Sequence, residues 1–426
     1  MSQASAYFLH SARQLLTLAG KPVPRRGRDL EDLGIIQDGA VLVAGGSIFA
    51  VGRTRDLESD ARQMKARAID CRGKVVMPGF VDSHTHLVFA GTRVEDFERR
   101  LRGLSYEQIR TAGGGIQRSA RLLREASPEA LVAQASEFLK QFAAHGTTTL
   151  EVKTGYGLDP ENELKTLEVS RKLRRITPLD IVPTLLAAHA LPAEFERRRA
   201  DYVRLITREL IPRAARGNLA EFMDCFCDSG AFTVEECREL LQAGARHGLT
   251  PRIHAEQLRR TGAARLAIEL GAASADHLDH LNEKDIRLLA RSNVVATLVP
   301  GANFFLGLRR YASARRLIDA GATVALATDF NPGTSPTLNM QFVLSLACTA
   351  MRLTPAEAIA ASTINAAHSL RRADRCGSLE PGKQADLAVM EVDDYRLLPY
   401  YFGWNHCVMT VKRGQIIYEK GLGIRD

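Results

Sequence analysis

The stretch that decides the fold is Pro78-Gly-Phe-Val-Asp-Ser-His84-Thr-His86, an apolar run that ends in two histidines. The valine, methionine and phenylalanine side chains of residues 76–84 predict a buried β-strand. Alternate residues of a strand face the same side, so His84 and His86 should point into one site where this strand ends.

Seven further runs of this kind follow, and helical segments separate them. The eight predicted strands are residues 76–84, 147–154, 180–188, 220–227, 250–256, 275–278, 294–300 and 323–328. Helix-capping signals between the strands occur at Ser127, Asp159, Thr233 and Thr354. Eight strand–helix units in succession predict an α/β fold, a closed (β/α)8 TIM barrel.

The two ends of the chain differ from this middle part. Residues 1–75 and 371–426 carry short strands separated by turns, for example 41–44, 47–52, 385–392 and 407–419. We therefore predict a barrel domain over residues 76–370 and one small flanking β-sandwich domain, with 1–75 as its N-terminal part and 371–426 as its C-terminal part.

Composition limits the function classes. The 426 residues are 45% hydrophobic and 25% charged, as in a globular protein, and no apolar run approaches the length of a membrane span. The net charge of +8 is spread along the chain without a nucleic-acid motif, which disfavours nucleic acid. A solvated basic surface is the simplest interpretation, and a small acidic substrate is the alternative. Seven scattered cysteines without a CxxC pair are typical of reduced thiols in the cytoplasm.

Further polar residues fall where predicted strands end. His189 ends the third strand, while His254 and His277 lie in the fifth and sixth. Asp329 follows the eighth strand. Catalytic groups of (β/α)8 barrels gather at the C-terminal ends of the strands, so these side chains should meet at one rim. Imidazoles and a carboxylate suit zinc or iron, and an open coordination position would lower the pKa of a bound water toward roughly 7.

A lone His-x-His pair is more often structural than metal-binding, but histidines and an aspartate on strands one, five, six and eight form a far more specific pattern. Segment 78–86 resembles the first-strand signature of the amidohydrolase superfamily. The resemblance implies that His277 sits beside a bound water and that the metal ligands are His84, His86, His254 and Asp329.

The number of metal ions depends on a lysine. Two-metal members of this superfamily use a carbamylated lysine on the fourth strand, but that strand ends here in Phe226-Cys227-Asp228. Lys153 falls on the predicted second strand. We therefore expect one divalent or trivalent metal ion per chain, zinc or iron, with His189 left free for substrate.

A narrower resemblance covers nearly the whole chain. Six segments are similar to the imidazolonepropionase family: residues 84–93, 112–116, 151–159, 254–257, 274–278 and 327–336. The resemblance implies hydrolysis of the ring of 4-imidazolone-5-propanoate to N-formimidoyl-L-glutamate, a step of histidine degradation. The substrate would be a small cyclic amide that carries a propionate.

The residues suit such a substrate. Arg93 follows the His-x-His pair closely, and a guanidinium binds a carboxylate through two hydrogen bonds. The alternative for Arg93 is a surface salt bridge. Tyr156, in a Gly-Tyr-Gly loop after the second strand, can donate a phenolic hydrogen bond, and Tyr106 is a weaker candidate of the same type.

The loop after Asp329 and the residue three places after His254 complete the predicted site. Asn331, Gly333 and Thr334 are expected to hold the ring or the product, unless Asn331-Pro-Gly only forms a turn. Some members of the imidazolonepropionase family carry Glu where this chain has Gln257, and Gln takes no proton at neutral pH. We expect Gln257 to hydrogen-bond the substrate, so that the catalytic proton transfers fall to Asp329 and His277.

Two other functions fit the same pattern. The metal site would also serve a deaminase of heterocycles such as guanine or cytosine, which would release ammonia. A retired, non-catalytic scaffold used for interactions is the other alternative, although such proteins typically lose metal ligands. The expected assembly is a homodimer.

Overall fold

The computed structural model describes residues 6–421 and 423–424, apart from the side chains of residues 106, 110, 423 and 424. The N-terminal part of the chain forms the strands β1 (Tyr7–Leu16), β2 (Ile35–Ala44), β3 (Ser47–Arg53), β4 (Arg67–Asp70) and β5 (Val75–Pro78). The middle part forms the strands β6 (Phe80–Asp82), β7 (Thr147–Lys153), β8 (Asp180–Ala188), β9 (Phe222–Cys227), β10 (Thr250–Ala255), β11 (Ser274–His277), β12 (Val295–Leu298) and β13 (Val324–Leu326). The C-terminal part adds the strands β14 (Leu387–Met390), β15 (Cys407–Lys412), β16 (Gln415–Glu419) and β17 (Gly423–Ile424).

Helices connect the strands of the middle part. The helices of the described residues are α1 (Thr54–Gln63), α2 (Val94–Leu101), α3 (Tyr106–Thr111), α4 (Gly115–Glu125), α5 (Pro128–Ala144), α6 (Pro160–Ile176), α7 (Arg199–Leu205), α8 (Ile211–Arg216), α9 (Val234–Arg246), α10 (Ala263–Glu269), α11 (Glu283–Ala290), α12 (Pro300–Phe305), α13 (Ala314–Asp319), α14 (Met340–Met351), α15 (Pro355–Ala361), α16 (Ile364–Ser369) and α17 (Leu397–Tyr400). The described residues also form two short 3-10 helices, Gly27–Glu31 and Ala193–Phe195, and one π-helical turn, Ile206–Leu210. The predicted caps hold, because side chains of four residues accept the expected backbone N–H groups: Ser127, Asp159, Thr233 and Thr354.

Strands β6 to β13 form a parallel barrel in which each strand pairs with its neighbours in chain order. The two end strands meet just beyond their own ends, where a parallel bridge joins Thr85 to Phe330. The N–H of Asp329 donates to the carbonyl of His84 at 3.0 Å, and the N–H of His86 donates to that of Phe330 at 2.9 Å. The predicted (β/α)8 barrel is therefore confirmed, and its closing contacts run through the predicted metal ligands.

The first predicted strand was wrong in extent. Residues 76–84 are two strands, because β5 pairs with β1 and β14 outside the barrel while β6 pairs with β7 inside it. Gly79 lies at the crossing, where a Cβ would lie 2.2 Å from Cγ2 of Thr148. Both halves of the run are buried and apolar, so hydrophobicity did not reveal the break.

Both ends of the chain contribute to a second, mixed sheet, as predicted for the flanking domain. Its strands follow the order β17-β16-β15-β14-β5-β1-β2-β3, and β4 pairs with β1. Side chains from the two ends share one apolar cluster, in which Leu15 and Val41 contact the same core as Leu387 and Val411. None of the helices in the described part of the chain combines the length and the apolar character needed to cross a membrane.

Candidate metal centre and active site

The polar residues predicted at the rim come together at the C-terminal ends of the barrel strands. The ring centroids of His84 and His254 lie 4.6 Å apart, and those of His254 and His277 lie 5.2 Å apart. The rings of His86 and His189 stack at 5.0 Å. The sequence pattern thus correctly grouped residues that lie more than 190 positions apart in the chain.

Asp329 lies among these rings. One carboxylate oxygen, Oδ1, is 3.4 Å from Nε2 of His84 and 3.5 Å from Nε2 of His86. The backbone of Asp329 has a φ of 54°, and that of His277 has a φ of 76°, conformations that non-glycine residues rarely adopt. Such conformations are held by the surroundings and are concentrated at functional sites. Asn331 stabilises the turn by donating from Nδ2 to the carbonyl of Asp329 at 2.6 Å.

The donor atoms of this cluster fit a metal ion. Nε2 of His84, Nε2 of His254 and Nδ1 of His277 are buried without a hydrogen-bond partner among the described residues. A buried polar atom left unpaired is costly, so these nitrogens call for a partner, and a metal ion would supply one for His84 and His254. Each ligand atom lies within 4.8 Å of the others in the groups His84–His86–Asp329 and His84–His254–His277. Nitrogen and carboxylate donors in this number suit zinc or iron.

Charge supports the same conclusion. Burial raises the pKa of Asp329 well above its usual value, and burial lowers the pKa of His84, His86 and His277 well below the usual value for an imidazole. Without a cation, burial thus favours neutral imidazole rings around a protonated Asp329 carboxyl group. A bound cation would help to ionise that carboxyl group.

Two further carboxylates orient the imidazoles. Oδ2 of Asp276 lies 2.7 Å from Nδ1 of His84, and Oδ2 of Asp224 lies 3.1 Å from Nδ1 of His254. Asp276 therefore holds Nδ1 of His84 by a hydrogen bond, while Asp224 lies at ion-pair distance from Nδ1 of His254. Nε2 of each ring is left without a hydrogen-bond partner among the described residues. Partners of this kind fix the tautomer of a metal-binding histidine.

Two buried cations balance these acids. Nζ of Lys153 lies 2.6 Å from Asp224, 2.9 Å from Glu151 and 3.4 Å from Asp276. Arg252, also fully buried, lies 3.0 Å from Glu151. Burial alone would lower the pKa of Lys153, but Asp224 and Glu151 raise it above its usual value. The amine on the second barrel strand is therefore placed as a charged ion-pair partner of these acids.

Sequence reasoning missed the four partners Glu151, Asp224, Arg252 and Asp276. A signal was present, because a charged residue inside an apolar strand of a barrel must face either solvent or a buried partner. Glu151 alternates with Lys153, and Arg252 alternates with His254, which places each pair on one face of its strand. The spacing alone did not say whether that face was the inner one.

Arg93, Tyr156 and Gly333 lie next to the histidines. The guanidinium carbon of Arg93 is 5.9 Å from the centroid of the Tyr156 ring, and Nε donates to Oγ of Ser119 at 2.8 Å. A Cβ on Gly333 would lie 2.3 Å from Nη1 of Arg93. Among the described residues no carboxylate lies within ion-pair distance of Arg93, so the surface salt bridge considered above lacks a partner.

The rings of Tyr156 and His189 form the other side of the cluster. Their centroids are 5.5 Å apart, and Tyr156 lies 5.9 Å from His86. Nδ1 of His189 is 3.0 Å from the carbonyl of Gly155, which only accepts, so Nδ1 carries the proton and Nε2 is an acceptor. Burial and the neighbouring His254 lower the pKa of His189 to about 3, and burial raises the pKa of Tyr156. Both side chains are therefore neutral at neutral pH.

None of the hydrogen bonds of Asn331 described below reaches the histidine cluster. The amide of Asn331 is fully used inside its own loop, because Nδ2 also donates to Oγ1 of Thr334 at 2.8 Å and Oδ1 accepts the N–H groups of Gly333 and Thr334. This favours the turn alternative for Asn331. Gln257 is half-buried two residues beyond β10, and the side chain of Tyr106 lies outside the described residues.

Comparisons with known proteins agree with this arrangement. The model of the amidohydrolase family matches residues 75–417. The imidazolonepropionase of Geobacillus kaustophilus is 48% identical over 417 residues, which cover 97% of this chain and 98% of that protein. The imidazolonepropionase of Solibacter usitatus is 46% identical over 412 residues, with coverage of 97% and 98%.

Solved structures share the fold at much lower identity. Guanine deaminase of E. coli superposes with a TM-score of 0.75 at 18% identity and covers 98% of this chain and 100% of its own. That likeness concerns the architecture alone. The family match and the near full-length relatives together show that the chain belongs to the amidohydrolase family and, within it, to the imidazolonepropionases.

Proposed function

We propose that this protein is a metal-dependent cyclic amidohydrolase that opens the ring of 4-imidazolone-5-propanoate to give N-formimidoyl-L-glutamate in histidine degradation. The observation that carries the proposal is the position of Arg93 beside Tyr156 and Gly333, next to the histidine cluster. A fixed guanidinium beside a metal centre suits a substrate that bears both a hydrolysable ring and a carboxylate.

The residues proposed to hold one metal ion, zinc or iron, are His84, His86, His254 and Asp329. The ion, when bound, would lower the pKa of a water molecule and so make hydroxide available near neutral pH. The buried ring nitrogens that have no hydrogen-bond partner among the described residues support this assignment, as does the buried Asp329 carboxyl group, which a bound cation would help to ionise. One ion is favoured over two because Lys153 is already paired with carboxylates.

Asp329 and His277 are the proposed catalytic residues: Asp329 carries the proton and His277 stabilises the oxyanion. Asp329 accepts a proton from the attacking water while the oxygen of that water bonds to the ring carbonyl carbon. The N–H of a neutral His277 donates a hydrogen bond to the developing oxyanion. The carbon–nitrogen bond then breaks, and Asp329 returns its proton to the leaving nitrogen. One water is consumed: Asp329 passes one of its protons to the leaving nitrogen, and the other is released when the new carboxylic acid ionises.

The substrate is proposed to lie between the metal centre and Arg93. Arg93 binds the propionate, the Tyr156 hydroxyl donates to the ring, and Nε2 of His189 accepts a ring N–H. Gln257, Gly333 and Thr334 are proposed to contact the ring or the product, with Asn331 shaping their loop. A substrate held by several such groups reacts as if the step were intramolecular.

The test is to identify the product. Purified protein supplied with 4-imidazolone-5-propanoate should lower the absorbance of the imidazolone and accumulate N-formimidoyl-glutamate, measured by mass spectrometry, without release of ammonia. Release of ammonia from a heterocycle, with no consumption of the imidazolone, would favour the deaminase alternative and reject this proposal.

Three further proposals concern the protein as a whole. The cytoplasm is the proposed location, which the seven free thiols support. A homodimer is the proposed assembly, supported by the exposed aromatic side chains of Tyr400, Phe402 and Trp404, and light scattering of the purified protein would test it. The proposed domain limits remain 1–75 with 371–426 for the flanking domain and 76–370 for the barrel.

A further inference from the structure

The loop that carries Tyr156 is held by a carboxylate outside the histidine cluster. Glu163, in the first turns of α6, is fully buried. Its Oε2 accepts the N–H of Gly155 at 3.0 Å, and its Oε1 accepts the N–H of Gly157 at 2.7 Å. A third N–H, that of Leu158, donates to Oε1 at 2.8 Å. One side chain therefore binds the backbone on both sides of Tyr156.

The backbone of this loop is built to fit the carboxylate. A Cβ on Gly157 would lie 2.5 Å from the backbone nitrogen of Glu163, so the close approach of the loop to α6 requires glycine. Leu158 adopts a φ of 55°, which is unusual for a non-glycine residue, and its N–H is one of the three that Glu163 accepts. The hydrogen bonds offset the strain of that conformation.

The same loop also positions His189. The carbonyl of Gly155 accepts from Nδ1 of His189 at 3.0 Å, and a Cβ on Gly155 would lie 2.8 Å from that nitrogen. The N–H of Gly155 is bound to Glu163. Gly155 thus links the Glu163 carboxylate, through its N–H, to the His189 imidazole, through its carbonyl.

We propose that Glu163 is a positioning residue of the active site, which fixes the phenol of Tyr156 directly and the imidazole of His189 through Gly155. This inference rests on the proposed function, in which both side chains bind the substrate. Glu163 itself does not contact substrate. It determines affinity by keeping two neutral groups in place before the substrate arrives, so that less ordering is needed on binding.

The test compares Glu163→Gln with the wild type and with a matched control. The side-chain amide of the introduced glutamine has only one acceptor oxygen. The backbone N–H groups on one side of Tyr156 therefore lose their acceptor. We expect KM to rise by about tenfold, kcat to change by less than about threefold, and the metal content to stay unchanged. The control is Glu357→Gln, a buried carboxylate that accepts the N–H of Thr354 at 2.7 Å at another helix start. It should lower the melting temperature without raising KM.

A double-mutant cycle with Tyr156→Phe shows whether Glu163 acts through Tyr156. The proposal predicts that Glu163→Gln raises KM less in the Tyr156→Phe background than in the wild type. Additive effects, or a KM for Glu163→Gln no higher than that of Glu357→Gln, would overturn it. A wild type that does not consume the imidazolone would instead reject the proposed function, which is a separate result.

A measurement on the wild type covers the case in which the variant does not fold. Hydrogen exchange should find the amides of Gly155, Gly157 and Leu158 protected, because Glu163 accepts all three. Exchange of these amides as fast as in an unstructured chain would contradict the proposal.

Discussion

Arg93→Ala should raise KM for 4-imidazolone-5-propanoate while leaving kcat nearly unchanged. The guanidinium donates from Nε to Ser119, its carbon lies 5.9 Å from the centroid of the Tyr156 ring, and it passes close to Gly333. Among the described residues it forms no ion pair with a carboxylate. Its remaining N–H groups are therefore available to a substrate carboxylate. Because Arg93 binds a part of the substrate that does not react, its contribution should be equal in the ground state and the transition state.

The magnitude follows from the type of contact. Hydrogen bonds to charged groups contribute about 1.5–3 kcal/mol, and each 1.4 kcal/mol is about tenfold in affinity. KM should therefore rise about 10- to 150-fold. Arg93→Lys keeps the charge but loses the planar fork and the bond to Ser119, so an intermediate rise is expected. Gly333→Ala should also raise KM, because the new Cβ would displace the same guanidinium.

The assay is steady-state kinetics by loss of imidazolone absorbance, with an uncharged amide analogue of the propionate as second substrate. Arg118→Ala is the matched control, because Arg118 lies one residue from Ser119 and pairs at 2.8 Å with Glu95 instead. It should change KM by less than about twofold. An unchanged KM for Arg93→Ala, or an equal rise in KM for the charged and the uncharged substrate, would show that Arg93 does not bind the propionate.

Three further changes test other parts of the account. Asp329→Asn should lower kcat by about 10²- to 10⁴-fold, because an amide takes no proton; substantial residual turnover with the metal still bound would reject Asp329 as the proton carrier. Asp276→Asn should weaken metal binding about 10- to 100-fold, because His84 loses the hydrogen bond that orients its ring. Metal affinity is measured by competition with a chelator, and an affinity equal to that of the wild type would contradict this role of Asp276. Thr354→Ala removes a capping box and should reduce the unfolding free energy by about 1 kcal/mol; a melting temperature equal to that of the wild type would contradict the cap's role, and kcat should not change.

The sequence predicted the barrel and most of the rim because these features depend on local patterns. Alternation of strands and capped helices indicates a (β/α)8 barrel, and the ends of parallel strands meet at one rim. His84, His254 and Asp329 could therefore be grouped without coordinates. The split of residues 76–84 at Gly79 depends instead on which strands lie beside each half, and no local pattern records that.

The parts of the site that escaped prediction are contacts between strands far apart in the sequence. Asp224 reaches His254 because the fourth barrel strand lies beside the fifth. Asp276, on the sixth strand, reaches His84 across the inside of the barrel. The role of Asn331 illustrates the same limit. A polar residue next to a predicted metal ligand suggests substrate contact, but its amide proves to be saturated by its own turn.

The proposed hydrolysis requires a metal ion held by residues from barrel strands one, five and eight. The most direct measurement follows imidazolone absorbance with the protein as purified, after exhaustive chelation, and after the return of zinc or iron. Turnover should disappear with the metal and return with it, and His84→Ala protein should neither bind the metal normally nor recover turnover. Full turnover by protein shown by elemental analysis to be metal-free would contradict this requirement.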